Sequence, residues 1–585
     1  MYQDAVTFLK YKDLSTMMTL SKHCARVVAG LIISERFNMY ITTVVPAGAA
    51  GTTANPAGIA IAMIIYFVAM ILIGVYGYTR SKSLDDYMLG GRDLPPFVAA
   101  LSAGAADMSG WLMMGLPGAM YLSGIFNGWI AIGLTVGAWI NWLVTAPRLR
   151  AYTEVAGDSI TVPSFFSNRT HDTSKIIRYV AGIIIVVFFT LYVSSGMVAG
   201  GTFFHSTFGW DYHVGMVFVA GIVILYTLVG GFLAVSWTDM VQGLIMMVAL
   251  VAVPIMGLFV IGGFGGVAAG LSITGDNSLL NPLGTGLDAV GWMDWISNVA
   301  WGLGYFGMPH IIVRFMALRS PRQATPARRF WLGWMVFCLL GTGMTAIIGR
   351  AMSEQGIIPD LMPKDGVEGN PQETVFLVMG TKLFPAVLAG FMLAAILAAI
   401  MSTVSSQLLV TSSAMVEDIY HGATKKELSD YKGVLLGRIT VLLVSIVAAL
   451  LAIDPTNSVL GLVSFAWAGF GAAFGPIVIL SLYWKKLTWQ GAASGMVAGA
   501  GVAVLWNKAF NNGDASWVVY THLYEIVPGF LACLLVAWLI SQATWRDDPQ
   551  ILEEFERAVA IAKGRPDPKG LLVTFEEKGT ESVAE

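Results

Sequence analysis

Apolar runs long enough to cross a lipid bilayer recur along this chain from about residue 57 to residue 543, separated by short polar connections. A bilayer core takes roughly 20 apolar helical residues per crossing, and within it only helices or closed barrels satisfy their own backbone hydrogen bonds. The runs are continuously apolar rather than alternating in short pieces, which argues against strands. Thirteen helical spans are predicted, at about 57–78, 96–122, 125–146, 176–204, 214–234, 238–263, 289–318, 328–351, 373–412, 435–453, 457–484, 489–507 and 523–543. Only 12% of residues are charged, against about 25% in a soluble domain. The expected fold class is an all-α integral membrane protein of about 13 transmembrane helices. Residues 57–543 are expected to form its transmembrane domain, between an amino-terminal extension, 1–56, and a carboxyl tail, 544–585.

A net charge of −3 speaks against a nucleic-acid partner. Cys24, Cys338 and Cys533 lack CxxC spacing, and the seven histidines fall mostly at or near loops. Neither a disulfide frame, a metal centre nor a haem site is expected, and the chain is not read as an enzyme. Lysine and arginine concentrate in alternate connections, around Arg80 to Arg92, Arg148 to Arg178, Arg319 to Arg329, Lys425 to Lys432 and Lys485–Lys486. Short basic loops stay cytoplasmic, so the amino end is expected outside and the carboxyl tail inside a cell (inner) membrane. Basic residues before Met39 sit awkwardly with that orientation. They are expected to belong to a disordered tail or to lie upstream of a true start at Met39. The tail from Arg546 is expected to be a solvated helix and a loose end.

Polar chemistry interrupts the apolar pattern in three places. The second span reads Leu101-Ser-Ala-Gly-Ala-Ala-Asp-Met-Ser-Gly-Trp111, which sets Asp107 near the middle of an uncharged run. A carboxylate there costs about 3 kcal/mol or more and marks an ion or proton path; one satisfied by a neighbouring helix is the plainer alternative. Gly104 and Gly110 weaken the helix, which lets carbonyls open toward a hard cation. The seventh span carries Trp301-Gly-Leu-Gly-Tyr-Phe-Gly-Met-Pro-His310, where three glycines and a proline predict a break. Trp301 and Tyr305, one turn apart, are predicted to share a face and wall a small solute, unless they are interfacial-belt aromatics. The ninth span adds Ser402, Thr403, Ser405 and Ser406; adjacent hydroxyls suit dehydrated Na⁺ by analogy with other hard cations. Broken spans five apart point to inverted repeats with a site at the midplane.

These segments, with Leu89-Gly-Gly-Arg92, Leu228 to Asp239, Ala399-Ile-Met-Ser-Thr403, Gly461 to Gly475 and Gly491 to Gly499, resemble the sodium:solute symporter family. Within it they resemble the proline-carrying branch more than the glucose, iodide or pantothenate branches. The resemblance implies a leucine-transporter-like 5+5 inverted-repeat core, with spans two and seven broken, and Na⁺-coupled uptake of L-proline without an organic cofactor. It implies Na⁺ ligation by Ala105, Met108, Ala399, Ser402 and Thr403, with Asp107 nearby. It implies proline contacts at Ser109, Gly110, Tyr192, Trp301, Tyr305 and Pro309, and sensitive coupling positions at Arg92 and Asp239. Met308 stands where glutamine is expected, and Ser406 where cysteine is expected. The alternative is a symporter driven by Na⁺ or H⁺ that carries pantothenate, another amino acid or a short organic acid.

Overall fold

The apolar runs fold as helices, and their interruptions fall where the sequence places glycine and proline. The computed structural model describes residues 56–78, 88–276, 278–284, 286, 288–364, 369–420, 430–510 and 522–565. The predicted extension up to residue 55 and the last twenty residues lie outside these. Nine helical stretches among the described residues are long and apolar enough to cross a membrane by length and composition.

In chain order the helices are α1 (Pro56–Tyr78), α2 (Pro96–Asp107), α3 (Leu116–Ser123), α4 (Gly128–Val144), α5 (Ala146–Val155), α6 (Val162–Arg169), α7 (Ile176–Phe208), α8 (Tyr212–Val260), α9 (Gly263–Ile273), α10 (Ala289–Ala300), α11 (Pro309–Met316), α12 (Ala324–Glu354), α13 (Val375–Leu383), α14 (Ala386–Ser413), α15 (Asp430–Leu451), α16 (Val459–Tyr483), α17 (Trp489–Phe510), α18 (Ile526–Thr544) and α19 (Pro549–Ala562). The order repeats itself. A broken span (α2 and α3) is followed by α4, a linker of short helices (α5, α6), α7, and then α8, which doubles as two spans. The second half has a broken span (α10 and α11), α12, a short-helix linker ending in α13, then α14, α15 and α16. Five spans per half is an odd number, so the second half enters the membrane from the side opposite to the first.

Three predicted features are corrected. Spans five and six form one run with no loop, because Gly231 takes φ 63° and ψ 177° and turns the chain within α8; only glycine adopts that conformation without strain. The ninth span is not continuous from residue 373. Phe384 and Pro385 are extended (ψ 149° and 150°) and divide α13 from α14, as expected for a residue preceding proline. The tail helix α19 is not simply solvated. Ile551, Phe555, Ala558 and Ile561 follow a helical repeat and are buried, and α19 packs against α5.

The two broken spans run antiparallel. Leu94 bridges Leu318, and the Leu94 amide donates to the Ala317 carbonyl at 3.1 Å. From Pro96 to the end of α2 at Asp107 the helix rises about 18 Å, which sets the break near the middle of a bilayer core about 30 Å thick.

Candidate functional site

In a continuous helix the Ser109 amide would reach the Ala105 carbonyl, four residues back. It turns instead to the Asp107 carbonyl at 3.1 Å, which ends α2 and releases Ala105. Beyond Gly110 the chain re-enters helix through a π turn at Trp111–Gly115, a form found mostly at functional sites. The freed carbonyl meets α14, where the Ser402 hydroxyl donates to it at 2.7 Å and the Thr403 hydroxyl lies 3.4 Å away. Ser402 Oγ is also 2.8 Å from the Ala398 carbonyl and 3.2 Å from that of Ala399. The structure thus gathers Ala105, Ala399, Ser402 and Thr403. Met108 stands at the end of α2 with φ −86° and ψ 79°. This cluster is buried, rich in neutral oxygens, and chemically suited to a hard monovalent cation. A hydroxyl keeps lone pairs free while it donates.

Asp107 is wholly buried. Its Oδ2 accepts from the Tyr305 hydroxyl, and its main-chain carbonyl accepts from the Trp111 indole at 3.1 Å. Its Oδ1 has no hydrogen-bond partner among the described residues. The carboxylate therefore ties the break of span two to that of span seven.

Span seven opens as a 3-10 turn, Trp301–Phe306; Met308 is extended, and Pro309 starts α11. This winding corrects the expectation of a shared face, because at three residues per turn Trp301 and Tyr305 point about 120° apart. Trp301 lies against Trp111 (centroids 6.4 Å apart), Trp467 (6.3 Å) and Tyr524 (5.4 Å). Tyr305 meets Trp331 (6.0 Å) and Trp467 (5.2 Å) edge to face. The Trp467 indole donates to the Trp301 carbonyl at 2.8 Å, and Asn141 Nδ2 donates to that of Tyr305 at 2.9 Å, so side chains of other helices satisfy two carbonyls of the turn. Gly304 lets Trp467 approach, since a Cβ there would sit 1.9 Å from its Nε1. Ser109 (2%), Tyr192 (1%), Trp301 (6%) and Tyr305 (1%) are hardly exposed.

Arg92 and Asp239, expected from the resemblance to act in coupling, occupy separate networks. Arg92, in a left-handed turn (φ 53°), donates to Thr153 Oγ1 (3.0 Å), the Met316 carbonyl (3.0 Å) and the Ser159 carbonyl (2.8 Å), and pairs with Asp158. It fastens the α5–α6 linker to the end of α11. Asp239, wholly buried on α8, accepts from Arg314 (3.1 Å) on α11, Ser102 (2.8 Å) on α2 and Ser406 (3.4 Å) on α14. Arg314 also donates to Ser406 Oγ at 2.6 Å and to the His310 carbonyl. At the opposite end Glu373 caps α16, accepting from Ser458 (2.8 Å) and from the amides of Val459 (3.2 Å) and Leu460 (3.3 Å). Burial raises this carboxyl above its ordinary range, and those bonds pull it back.

The model of the sodium:solute symporter family matches residues 87–499. The chain belongs to that family. As a family member it is a transporter, a multi-pass membrane protein and not an enzyme. It is 51% identical over 486 residues to the high-affinity proline transporter PutP of Bacillus subtilis, covering 83% of this chain and 98% of the relative. It is 49% identical over 484 residues to a sodium/proline symporter of Staphylococcus aureus, covering 82% and 91%. Its fold matches the solved substrate-bound, outward-open state of a Na⁺-coupled sialic acid symporter, with TM-score 0.69 and 20% identity over 83% of this chain and 98% of that one. The leucine-transporter-like architecture expected for this family member is the one observed.

The sequence reading missed Arg314, Glu373, Asn141 and Trp467. Arg314 carried a usable signal: an arginine inside an apolar span requires a buried acceptor, and Asp239 was a carboxylate within another span. Glu373 and Asn141 act on main-chain groups of distant helices, which no local pattern announces.

Proposed function

We propose that the protein takes up L-proline with Na⁺ as the coupling ion. The observation that carries this reading is the convergence of a released carbonyl and two hydroxyls, Ala105 with Ser402 and Thr403, beside an aromatic break, in a chain about half identical to proline transporters over most of its length. In this reading Ala105, Met108, Ala399, Ser402 and Thr403 ligate Na⁺. Asp107 relays its arrival to span seven through Tyr305. Ser109, Gly110, Tyr192, Trp301, Tyr305 and Pro309 hold the imino acid. Trp301 and Tyr305 surround an apolar ring from two directions, and the half-helix amino end at Pro309 favours a carboxylate. The Arg92 and Arg314–Asp239 networks close the cytoplasmic side. Arg92 and Arg319 lie at one end of the paired broken spans, and basic residues favour the cytoplasm, which supports an amino end outside and a carboxyl tail inside.

Na⁺ entering along a 100 mV potential contributes about 2.3 kcal/mol per charge. The test is equilibrium binding of labelled L-proline to purified protein in Na⁺ and in K⁺. Saturable binding that requires Na⁺ and is displaced by unlabelled L-proline supports the reading. Na⁺-dependent binding of pantothenate or another amino acid in its place moves the solute and leaves the cation site.

A further inference from the structure

His310 begins the second half of span seven, directly after Pro309, and is wholly buried. Neither of its ring nitrogens makes a hydrogen bond to any described residue. Buried polar groups are nearly always paired, and with the Ala106 carbonyl the one acceptor of the chain close to the ring, a histidine held in this state has ring capacity open to a partner that is not one of the chain's own groups. Its position narrows what that partner is. The ring stands edge-on to Phe189 (5.3 Å) and Tyr192 (6.1 Å) of α7 and lies near the Ala106 carbonyl in the last turn of α2. The Tyr192 hydroxyl is in the same condition: it approaches Ser109 and Trp111 without reaching hydrogen-bonding geometry. Two unpaired polar side chains from α7 and α11 therefore sit side by side where α2 breaks.

The amino end of α11 contributes partial positive charge at this point, while Asp239 offsets the charge of Arg314 and the Asp107 carboxylate lies close to Tyr192. His310 lies in the first turn of α11, whose amide dipoles point their positive end there. The Arg314 guanidinium is one turn on and holds the His310 carbonyl, which fixes the residue's backbone. A solute's carboxylate is favoured at that helix amino end. A neutral imidazole offers one N–H donor and one acceptor.

We propose that His310 is a further solute-contacting residue, whose ring N–H donates to the carboxylate of the transported zwitterion and so selects for solutes that carry one. This rests on the reading that the two breaks hold the solute, and it predicts a signature distinct from a packing role. His310→Phe keeps the ring and removes both nitrogens. In proteoliposomes the half-saturating L-proline concentration is expected to rise about tenfold or more, the size of a lost hydrogen bond to a charged group. The half-saturating Na⁺ concentration at saturating proline should stay unchanged, because no Na⁺ ligand is touched. L-prolinamide, which lacks the carboxylate, should lose its disadvantage as a competitor against proline. His310→Gln, which retains an N–H donor, should recover much of the affinity.

An unchanged proline half-saturation in His310→Phe overturns the proposal. So does a parallel rise in both constants, the mark of a structural role. If His310→Phe fails to fold, His310→Ala against His310→Asn gives the same contrast. Wild-type protein that neither binds nor carries a carboxylate-bearing solute with Na⁺ overturns the functional reading and this inference together. A wild-type protein that does so while the variants match it overturns the inference alone.

Discussion

The two broken spans lie antiparallel at one depth, yet they are built from opposite materials. Span two breaks over Met108 and Ser109 among small residues, and the gap is lined by a carbonyl and hydroxyls. Span seven breaks over a full 3-10 turn among indole and phenol rings, where Gly304 admits Trp467 and Gly302 and Gly307 admit the main chain of neighbouring helices. A short break among small residues frees oxygens at close quarters, which suits an ion that must shed its water. A long break among aromatics makes room and offers apolar faces, which suits an organic ring. The bond from Tyr305 to Asp107 ties the two breaks directly, and Arg314 Nε donating to Ser102 Oγ at 3.1 Å ties the two spans further along.

The largest effect is expected where the two regions join. Asp107→Ala removes the carboxylate from a fully buried site and leaves the Tyr305 hydroxyl unpaired. Uptake at low Na⁺ should fall about 100-fold or more, on the scale of a lost charged hydrogen bond and ion partner; full uptake with unchanged Na⁺ dependence would break the link. Next, Trp301→Ala should raise the half-saturating solute concentration by about 30-fold, as for a buried aromatic anchor, with Na⁺ half-saturation nearly constant. Ser402→Ala should do the reverse and raise Na⁺ half-saturation by about tenfold while solute affinity at saturating Na⁺ moves little. If both variants shifted both constants equally, the contrast between the breaks would have no functional meaning. The smallest effect is expected for Met308→Gln. Its side chain is buried beside Pro309 and is not among the proposed solute contacts, so solute affinity should change by less than about threefold, read by competition between L-proline and its analogues, while the buried amide lowers stability by about 1–3 kcal/mol.

Both breaks were legible in the sequence, because glycine and proline act locally and a lone mid-span carboxylate is chemically conspicuous. The pairing of Ser402 and Thr403 with Ala105 was not legible from residue pattern. Hydroxyls in membrane helices commonly bond back to the preceding turn, as Thr411 does to Gln407, and only family resemblance singled out this pair. The expectation that Trp301 and Tyr305 share a face failed because α-helical spacing was applied to a segment that its own glycines wind as a 3-10 turn. The division at Phe384–Pro385 was legible in Pro385 and was overlooked within a long apolar run. Docking of α19 onto α5 was half legible: the spacing of Ile551, Phe555 and Ala558 marks an apolar face, but not what covers it.

In the proposed mechanism Na⁺ at the first break drives a zwitterionic solute held at the second. It is tested most directly by initial uptake of labelled L-proline into proteoliposomes containing only this protein, with an inward Na⁺ gradient or with K⁺ in its place. Na⁺-dependent accumulation above equilibrium is expected, increased by an inside-negative potential and abolished by excess unlabelled L-proline. Equal uptake in Na⁺ and K⁺ by protein that binds proline would contradict it.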